Sequence, residues 1–139
     1  MDVAFRTAQM SYAVRAKVGS VLVKDCRIVA TGWNGTPAGF DNCCEQKVKT
    51  QSYFDTLINP SGLKTKSDVI HSEANIIYFC AKHGIKTEGA VLYLTLSPCA
   101  NCALAIVQAG IKKVYYHEKY HNDSGLKILE KANISAIQL

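Results

Sequence analysis

Apolar and polar residues along this 139-residue chain alternate between the period of helices and the period of strands. Apolar positions recur at helical spacing through the N-terminal segment, which predicts an opening helix that extends to about Arg15. Two short runs rich in β-branched residues follow at 19–23 and 27–31, and the three residues between them suit the turn of a hairpin. The next segment, G-W-N-G-T-P-A-G at 32–39, is dense in turn formers and predicts an ordered loop.

The second half of the chain repeats this alternation. A helical pattern begins at His71 and stops at Gly84, a residue type that suits a helix C-terminus. The apolar run 90–96 predicts a buried strand, after which Ser97 and Pro98 fit the N-cap and the first position of the next helix. We predict that this helix ends at Gly110. Strands at 111–117 and 134–139 are predicted after it, with a helix at 125–132 between them.

Strands that alternate with helices predict a layered α/β domain around a mixed sheet. The chain has 48% apolar residues and enough length for one compact domain, which we place at 1–139. Residues 41–70 show no firm period, and N-P-S-G at 59–62 marks a break inside them.

Charge and hydropathy exclude several classes of function. The net charge of +5 is spread along the chain without the basic stripe that marks binding to long nucleic acid. An ordinary surface explains this charge, and a small anionic partner also fits it. Apolar runs do not reach membrane-spanning length, and the N-terminus lacks a secretory pattern. We therefore expect a cytoplasmic protein with neither a membrane nor a long nucleic acid as its partner.

Two motifs carry the candidate chemistry, H-S-E at 71–73 and P-C-A-N-C at 98–102. His71, Cys99 and Cys102 supply three zinc ligands and leave a fourth tetrahedral position open, as in catalytic zinc sites. Zinc brings the pKa of a bound water from 15.7 toward about 7. Glu73 is then free to carry protons, and this pairing of motifs is the signature of zinc-dependent base deaminases.

Other interpretations of the cysteines remain open at this point. A C-x-x-C pair alone also occurs in structural zinc sites and in redox proteins, and a zinc-stabilised nucleotide sensor without catalysis would carry the same ligands. Thiolate ligands suit a reducing compartment. Outside the motif, we expect Cys26 and Cys80 to be buried thiols.

The combined motifs resemble the deoxycytidylate (dCMP) deaminase family, particularly its bacterial and phage members. The resemblance rests on 15–18, the segment 32–39, N-C-C-E at 42–45, the H-S-E motif and T-L-S-P-C at 95–99. The zinc motifs alone would also fit deaminases of cytidine, tRNA adenosine, guanine or riboflavin precursors. The resemblance implies a three-layer α/β/α cytidine deaminase-like fold, with a central mixed sheet of about five strands, and dCMP as substrate.

The resemblance also implies residues for substrate binding. Asn34 would contact the sugar, Tyr120 would flank the base, Ser97 would line the same site, and Arg15 or Lys17 would bind the 5′-phosphate. These residues also have explanations without a binding role. Asn34 could be a turn residue, and Tyr120 could be a packed aromatic ring. Arg15 or Lys17 could interact with the carbonyl groups at the end of a helix.

Regulation and assembly are further implications of the resemblance. Family members respond to dCTP as activator and dTTP as inhibitor, bound with Mg²⁺ at the loop that corresponds to Gly32, Trp33, Asn34 and Gly35, and they are commonly hexamers. Trp33 replaces the usual tyrosine of this loop. We therefore expect a homo-oligomer with this effector site.

Three departures from the family pattern bear on the site. Ser72 replaces the usual alanine of the H-A-E motif, and Lys82 stands where a phage relative has an arginine linked to effector response. Ala13 and Val69 replace ligands of a second, structural zinc that some members hold, although Cys43 is present. We expect one Zn²⁺ per chain.

Overall fold

The computed structural model describes residues 1–48 and 61–139, and the predicted break at 59–62 lies partly outside these ranges. In chain order, the described elements are α1 (Asp2–Ala8), β1 (Gly19–Lys24), β2 (Arg27–Trp33), β3 (Glu45–Lys47), β4 (Leu63–Thr65), α2 (Ser72–His83), β5 (Val91–Leu96), α3 (Ala100–Gln108), β6 (Lys113–Glu118), α4 (Ser124–Lys131) and β7 (Ser135–Gln138).

Five strands form the central sheet in the order β2-β1-β5-β6-β7. Strand β1 is antiparallel to both β2 and β5, whereas β5, β6 and β7 run parallel. The parallel pairs are joined through helices, as their geometry requires. Strands β3 and β4 form a separate two-stranded antiparallel sheet.

Neighbouring residues of β1 show which helices cover each face of the sheet. A Cβ at Gly19 would collide with the backbone of Ala4 and Ala8 in α1. The hydroxyl of Ser20 instead donates a 2.9 Å hydrogen bond to the carbonyl of Ser72, where α2 begins. Because successive strand residues point to opposite faces, α1 and α2 lie on opposite sides of the sheet. The predicted three-layer α/β/α fold with a mixed five-stranded sheet is confirmed.

The main core lies between the sheet and helices α2, α3 and α4. Leu22, Leu92 and Val114 are fully buried and stand opposite one another on β1, β5 and β6. Side chains from the three helices complete this layer, namely Ile76, Ile106 and Leu129. Burial of each large aliphatic side chain contributes about 1.5–3 kcal/mol, so this layer fixes the helices against the sheet.

Two local predictions are confirmed by backbone geometry. Asp25 and Cys26 adopt φ values of 50° and 59°, which make the tight turn of the β1–β2 hairpin. Gly84 ends α2 in the left-handed conformation with φ 66°, and the amide of Ile85 then donates to the carbonyl of Cys80.

The opening helix is shorter than predicted, since α1 ends at Ala8 and not near Arg15. Residues 11–18 belong to no helix, and the amides of Val14, Arg15 and Val18 are bonded by the side chains of Glu45 and Asn34 from elsewhere in the fold. Tyr12, which contributed to the helical period, is 66% exposed. Tertiary contacts therefore override the local pattern here.

The predicted loop at 32–39 and the predicted burial of Cys26 also need correction. Gly32 and Trp33 belong to β2, because they pair with Ser20 and Gly19 across the hairpin, so the loop begins at Asn34. Cys80 is buried as expected, whereas Cys26 is exposed because it occupies the hairpin turn.

Helix α3 begins later than predicted. The N-cap is Cys99, and Ser97 and Pro98 precede the helix. The amide of Ser97 donates to the carbonyl of Glu118 at 2.8 Å, which prolongs the pairing of β5 with β6 and delays the turn. Ser97 is therefore not the helix cap.

None of the helices in the described ranges combines the length and the apolar character needed to cross a membrane.

Candidate active site

His71, Cys99 and Cys102 converge at the N-terminal ends of α2 and α3. His71 and Cys99 are the N-cap residues of these helices, and Cys102 lies in the first turn of α3. Their ligand atoms all lie within 4.8 Å of one another. Two helices that begin side by side thus bring together residues from distant parts of the chain.

The spacing of these atoms fits a tetrahedral zinc ion. The Nδ1 atom of His71 lies 3.6 Å from Sγ of Cys99 and 3.5 Å from Sγ of Cys102. Zinc bonds of roughly 2.0–2.1 Å to nitrogen and 2.3 Å to sulfur, at tetrahedral angles, would separate such atoms by about 3.6 Å. One imidazole and two thiolates are also the donor types that zinc prefers.

Hydrogen bonds couple the protonation of the three potential ligands. Hydrogen bonds from Cys102 and His71 lower the pKa of the Cys99 thiol to about 3. The same contact with Cys99 raises the pKa of Cys102, and a hydrogen bond with Cys99 raises that of His71. The N-terminal ends of both helices add positive potential, which stabilises thiolates at this point.

Glu73 is the buried acid of the site, with 4% of its surface exposed. Burial raises the pKa of its carboxyl group. The Oε2 atom accepts a 2.9 Å hydrogen bond from the hydroxyl of Ser72, which is itself fully buried. A carboxyl group with a raised pKa beside a metal site is suited to accept and to release a proton.

A cavity of roughly 270 Å³ opens over the cluster. Small-molecule sites in proteins commonly measure about 300–1,000 Å³. The residues of its wall come from loops, from the strands β3, β4 and β5 and from the starts of α2 and α3: Arg15, Ala16, Val18, Asn34, Glu45, Thr65, His71, Ser72, Glu73, Leu96, Ser97, Cys99, Tyr120 and His121. The cavity therefore joins the metal ligands and Glu73 to most of the residues implicated by the sequence in substrate binding.

Asn34 lies on the cavity wall and binds the neighbouring backbone with its amide group. Its Oδ1 accepts from the amide of Val18 at 2.8 Å, and its Nδ2 donates to the carbonyl of Ala16 at 2.9 Å. Because a side-chain amide has two acceptor lone pairs and two N–H groups, Asn34 retains one of each for a ligand.

The two basic candidates are placed differently. Arg15 lies on the cavity wall, and its Nη1 approaches Oγ1 of Thr65 at 3.4 Å. Lys17 is exposed and lies outside the wall. Burial raises the pKa of the Tyr120 hydroxyl, and the charge of Arg15 opposes that shift, so the guanidinium and the tyrosine share one region of the cavity.

Tyr120 and Ser97 are linked directly. The amide of Tyr120 donates to Oγ of Ser97 at 2.8 Å, and the Tyr120 ring packs on His121 with ring centroids 4.0 Å apart. Ser97 is almost fully buried, so its hydroxyl holds the loop that carries Tyr120 over the cavity.

The segment implicated in effector binding is divided by the fold. Gly32 faces α2: a Cβ there would lie 2.7 Å from the carbonyl oxygen of Ser72 and 2.9 Å from Cβ of Ile76. The Trp33 carbonyl accepts a hydrogen bond from Asn75 of α2. A Cβ at Gly35 would meet no atom within 4 Å.

Sequence reasoning missed the roles of four residues of the site. Glu45, Thr65 and His121 line the cavity: Glu45 ends the N-C-C-E motif but was given no role from the sequence, and Thr65 and His121 belong to no motif. Gly125 lies in the first turn of α4 and approaches Pro98 so closely that a Cβ would collide with the Pro98 carbonyl. A lone glycine after a serine gives no local signal for that contact.

A second metal site was not expected from the sequence. Within the described ranges, the potential ligands whose donor atoms lie close enough together to share one metal ion are His71, Cys99 and Cys102. Cys43 is exposed, and its Sγ donates to the carbonyl of Glu45 at 3.2 Å. One zinc per chain stays a prediction.

Comparisons with known proteins place the chain among deaminases. Residues 1–118 match the model of the cytidine and deoxycytidylate deaminase zinc-binding region. The chain is 36% identical to deoxycytidylate deaminase of Enterobacteria phage T4, over 86% of this chain and 76% of that protein. It is 34% identical to human deoxycytidylate deaminase, over 88% of this chain and 65% of the human protein.

A solved structure agrees over the whole fold. The crystal structure of dCMP deaminase from cyanophage S-TIM5, in complex with dCMP and dUMP, superposes with a TM-score of 0.85. It is 35% identical and covers 99% of this chain and 92% of that chain.

The fold and the site together define a base deaminase of the zinc-binding type, because three residues suited to hold zinc with a fourth position open stand at the same helix starts as a buried acid. The chain belongs to the cytidine and deoxycytidylate deaminase family.

Proposed function

We propose that this protein converts dCMP to dUMP and ammonia by hydrolysis. The observation that carries the proposal is the cavity whose wall includes the potential zinc ligands His71 and Cys99, the buried acid Glu73 and the basic residue Arg15. Relatives named deoxycytidylate deaminase, and the cyanophage enzyme bound to dCMP and dUMP, support the choice of substrate.

Zinc, held by His71, Cys99 and Cys102, would supply a Lewis acid that makes water a nucleophile near neutral pH. Glu73 takes a proton from the attacking water and delivers it to the ring nitrogen as the water oxygen adds to the carbon that bears the amine. It then takes the proton of the added hydroxyl and delivers it to the amine, so that the C–N bond breaks and ammonia leaves. Its burial raises the pKa of its carboxyl group, which favours a residue that alternates between the two protonation states.

The remaining cavity residues bind and orient the nucleotide in this proposal. Asn34 contacts the sugar through its free amide valences, and Tyr120 flanks the base with Ser97 behind it. Arg15 binds the 5′-phosphate, because it lies on the wall and Lys17 does not. A guanidinium pairs with a phosphate in bidentate geometry.

A panel of substrates tests the proposal. Ammonia release is measured with the zinc-loaded protein on dCMP, deoxycytidine, cytidine and an adenosine-containing tRNA stem-loop. Deamination of dCMP, at a kcat/KM well above that of deoxycytidine, is expected because Arg15 is placed to bind the phosphate. Activity on the unphosphorylated nucleosides or the stem-loop without activity on dCMP would select a different deaminase.

Regulation forms a finer part of the proposal. We propose that dCTP activates and dTTP inhibits the enzyme, bound with Mg²⁺ near Asn34 and Gly35, and its support is the sequence resemblance of 32–35. Gly32 and Trp33 would act through the backbone that joins this segment to α2. The test measures initial rates at subsaturating dCMP with each effector, in the presence and absence of Mg²⁺. dCTP should raise the rate and dTTP should lower it, and unchanged rates with both effectors would refute the regulatory proposal.

Assembly and location complete the proposal. We propose a homo-oligomer, a hexamer by resemblance, in a reducing cytoplasm where Cys99 and Cys102 remain thiolates. Sedimentation equilibrium should then give six times the chain mass of 15.2 kDa. A mass equal to one chain at micromolar concentration would contradict it.

A further inference from the structure

The backbone that carries Arg15 is held by two side chains from other parts of the fold. We call residues 14–18 the Arg15 loop; they lie outside every helix and strand. Asn34 binds the C-terminal part of the loop through Val18 and Ala16. Glu45 binds the N-terminal part: its Oε1 accepts from the amide of Val14 at 3.0 Å and from that of Arg15 at 3.1 Å.

Glu45 is itself firmly placed. It is the first residue of β3, it is 9% exposed, and it pairs with Thr65 of β4. A carboxylate that accepts two amide hydrogen bonds makes charge-assisted bonds, which are stronger than those between neutral groups. The Arg15 backbone is therefore fixed to a small sheet whose two strands stand at the cavity wall.

Thr65 holds the other end of Arg15. Its Oγ1 lies 3.4 Å from Nη1 of Arg15, and it faces Glu45 across the β3–β4 pair. One cross-strand pair thus contacts both the backbone amide and the guanidinium of the same arginine. A long side chain anchored at both ends loses less freedom when it binds an anion.

We propose that Glu45 is a positioning residue for recognition of the substrate phosphate: it fixes the Arg15 loop so that the guanidinium stays on the cavity wall. The inference rests on the proposed function and deepens it, because it names the group that makes Arg15 effective. In this role, the length of the Glu45 side chain matters because it brings one oxygen within hydrogen-bond distance of two amides. The negative charge of Glu45 does not itself interact with the phosphate.

Two conservative variants of Glu45 distinguish the effect of its side-chain length from the effect of its negative charge. Glu45→Gln keeps an acceptor oxygen at the same distance from the backbone and removes the charge. Glu45→Asp keeps the charge and is shorter by one methylene. Gln46→Asn, at the exposed neighbour on β3, is the matched control for a change in this small sheet.

The test measures kcat and KM of the zinc-loaded variants on dCMP and on deoxycytidine, which lacks the phosphate. We expect E45D to raise KM for dCMP by about tenfold, the scale of one lost charge-assisted hydrogen bond, with kcat changed by less than about twofold. E45Q and the control should stay within about threefold of the parent KM, since a neutral hydrogen bond is retained.

A double-mutant cycle shows whether Glu45 acts through Arg15. In an Arg15→Ala background, E45D should change KM for dCMP by less than about twofold, because coupled residues are not additive. With deoxycytidine, E45D should likewise have no effect on kcat/KM. If E45D fails to fold, Thr65→Val takes its place and should raise KM for dCMP in the Arg15 parent only.

Several results would overturn the inference. An E45Q variant as impaired as E45D would mean that the charge itself acts, and an E45D effect that persists without Arg15 would mean a general structural role. A parent protein inactive on dCMP would refute the proposed function instead. Amide exchange at Val14 and Arg15 would then decide the role of Glu45: faster exchange in E45D than in E45Q supports it, and equal exchange refutes it.

Discussion

At the scale of single residues, Glu73 is held for proton transfer by its burial and by its neighbour. Glu73 is 4% exposed, and its carboxylate accepts a 2.9 Å hydrogen bond from the hydroxyl of Ser72. An alanine at position 72, as the sequence resemblance leads us to expect for the family, could not donate this hydrogen bond. The hydrogen bond limits rotation of the carboxylate, and the carboxylate can still accept and release a proton.

Replacement of Glu73 should separate catalysis from metal binding. Glu73→Gln keeps the volume and an acceptor for Ser72 but cannot shuttle protons, so kcat on dCMP should fall at least about a hundredfold. Bound zinc per chain, measured by mass spectrometry, should not change because Glu73 is outside the ligand group. A non-catalytic nucleotide sensor would bind dCMP equally well and release no ammonia in either form.

The matched control for this prediction is Ser72→Ala. It removes the hydrogen bond and leaves the carboxylate, so kcat should fall by less than about tenfold, the scale of one net hydrogen bond. A loss in S72A as large as that in E73Q would contradict the assignment of proton transfer to Glu73 alone.

The sequence predicted the chemical residues better than the binding residues. His71, Glu73 and the cysteines follow from spacing, because both motifs stand where a helix begins and need no distant information. Arg15 and Lys17 could not be distinguished, since their loop is fixed by Glu45 and Asn34, which lie 30 and 18 positions from the backbone atoms they bind.

At the scale of elements, the start of α2 is set by its contact with β2. Gly32 lets the helix backbone approach the strand, and Ser20 adds a hydrogen bond from β1 to the carbonyl of Ser72. His71 and Glu73 belong to this same helix start. Close packing of a strand and a helix therefore places both the metal ligand and the acid.

Gly32→Ala should displace this helix start. The new Cβ would lie 2.7 Å from the Ser72 carbonyl oxygen and 2.9 Å from Cβ of Ile76, so the variant should lose about 1–3 kcal/mol of unfolding free energy. Urea unfolding and kcat should both show the loss. Gly35→Ala is the control, because its Cβ meets nothing within 4 Å, and an equal loss there would refute the packing explanation.

The predicted boundaries of helices are correct where a residue within the local sequence determines the boundary in the folded protein. The end of α2 was predictable because Gly84 supplies the left-handed cap within the helix sequence itself. The end of α1 was not, because the amides of Val14, Arg15 and Val18, within or just past the predicted helix, bond to distant side chains. The start of α3 was misplaced because pairing of Ser97 with Glu118 is a contact between strands that no single segment reveals.

At the scale of the whole molecule, zinc would join the two halves of the helical layer. The ligands lie on α2 and α3, which pack on the same face of the sheet, and the first turn of α4 touches the backbone of Pro98 and Cys99. A ligand that binds the folded state alone stabilises it by about 2.7 kcal/mol at a free concentration of 100 times its Kd. Metal binding should therefore be visible in global stability.

Removal of zinc with a chelator should lower the Tm by about 10 °C, relative to protein in zinc at about 100 times its Kd. The reason is that Cys99 and Cys102 lose the cation that compensates two neighbouring sulfurs in a partly buried site. Cys99→Ser should show a much smaller chelator effect, whereas Cys26→Ser should behave as the parent because Cys26 is exposed in the β1–β2 turn. E73Q should retain the full shift, since it keeps all three ligands. A chelator effect that is equal in the Cys99 variant and the parent would show that the stabilising metal binds elsewhere.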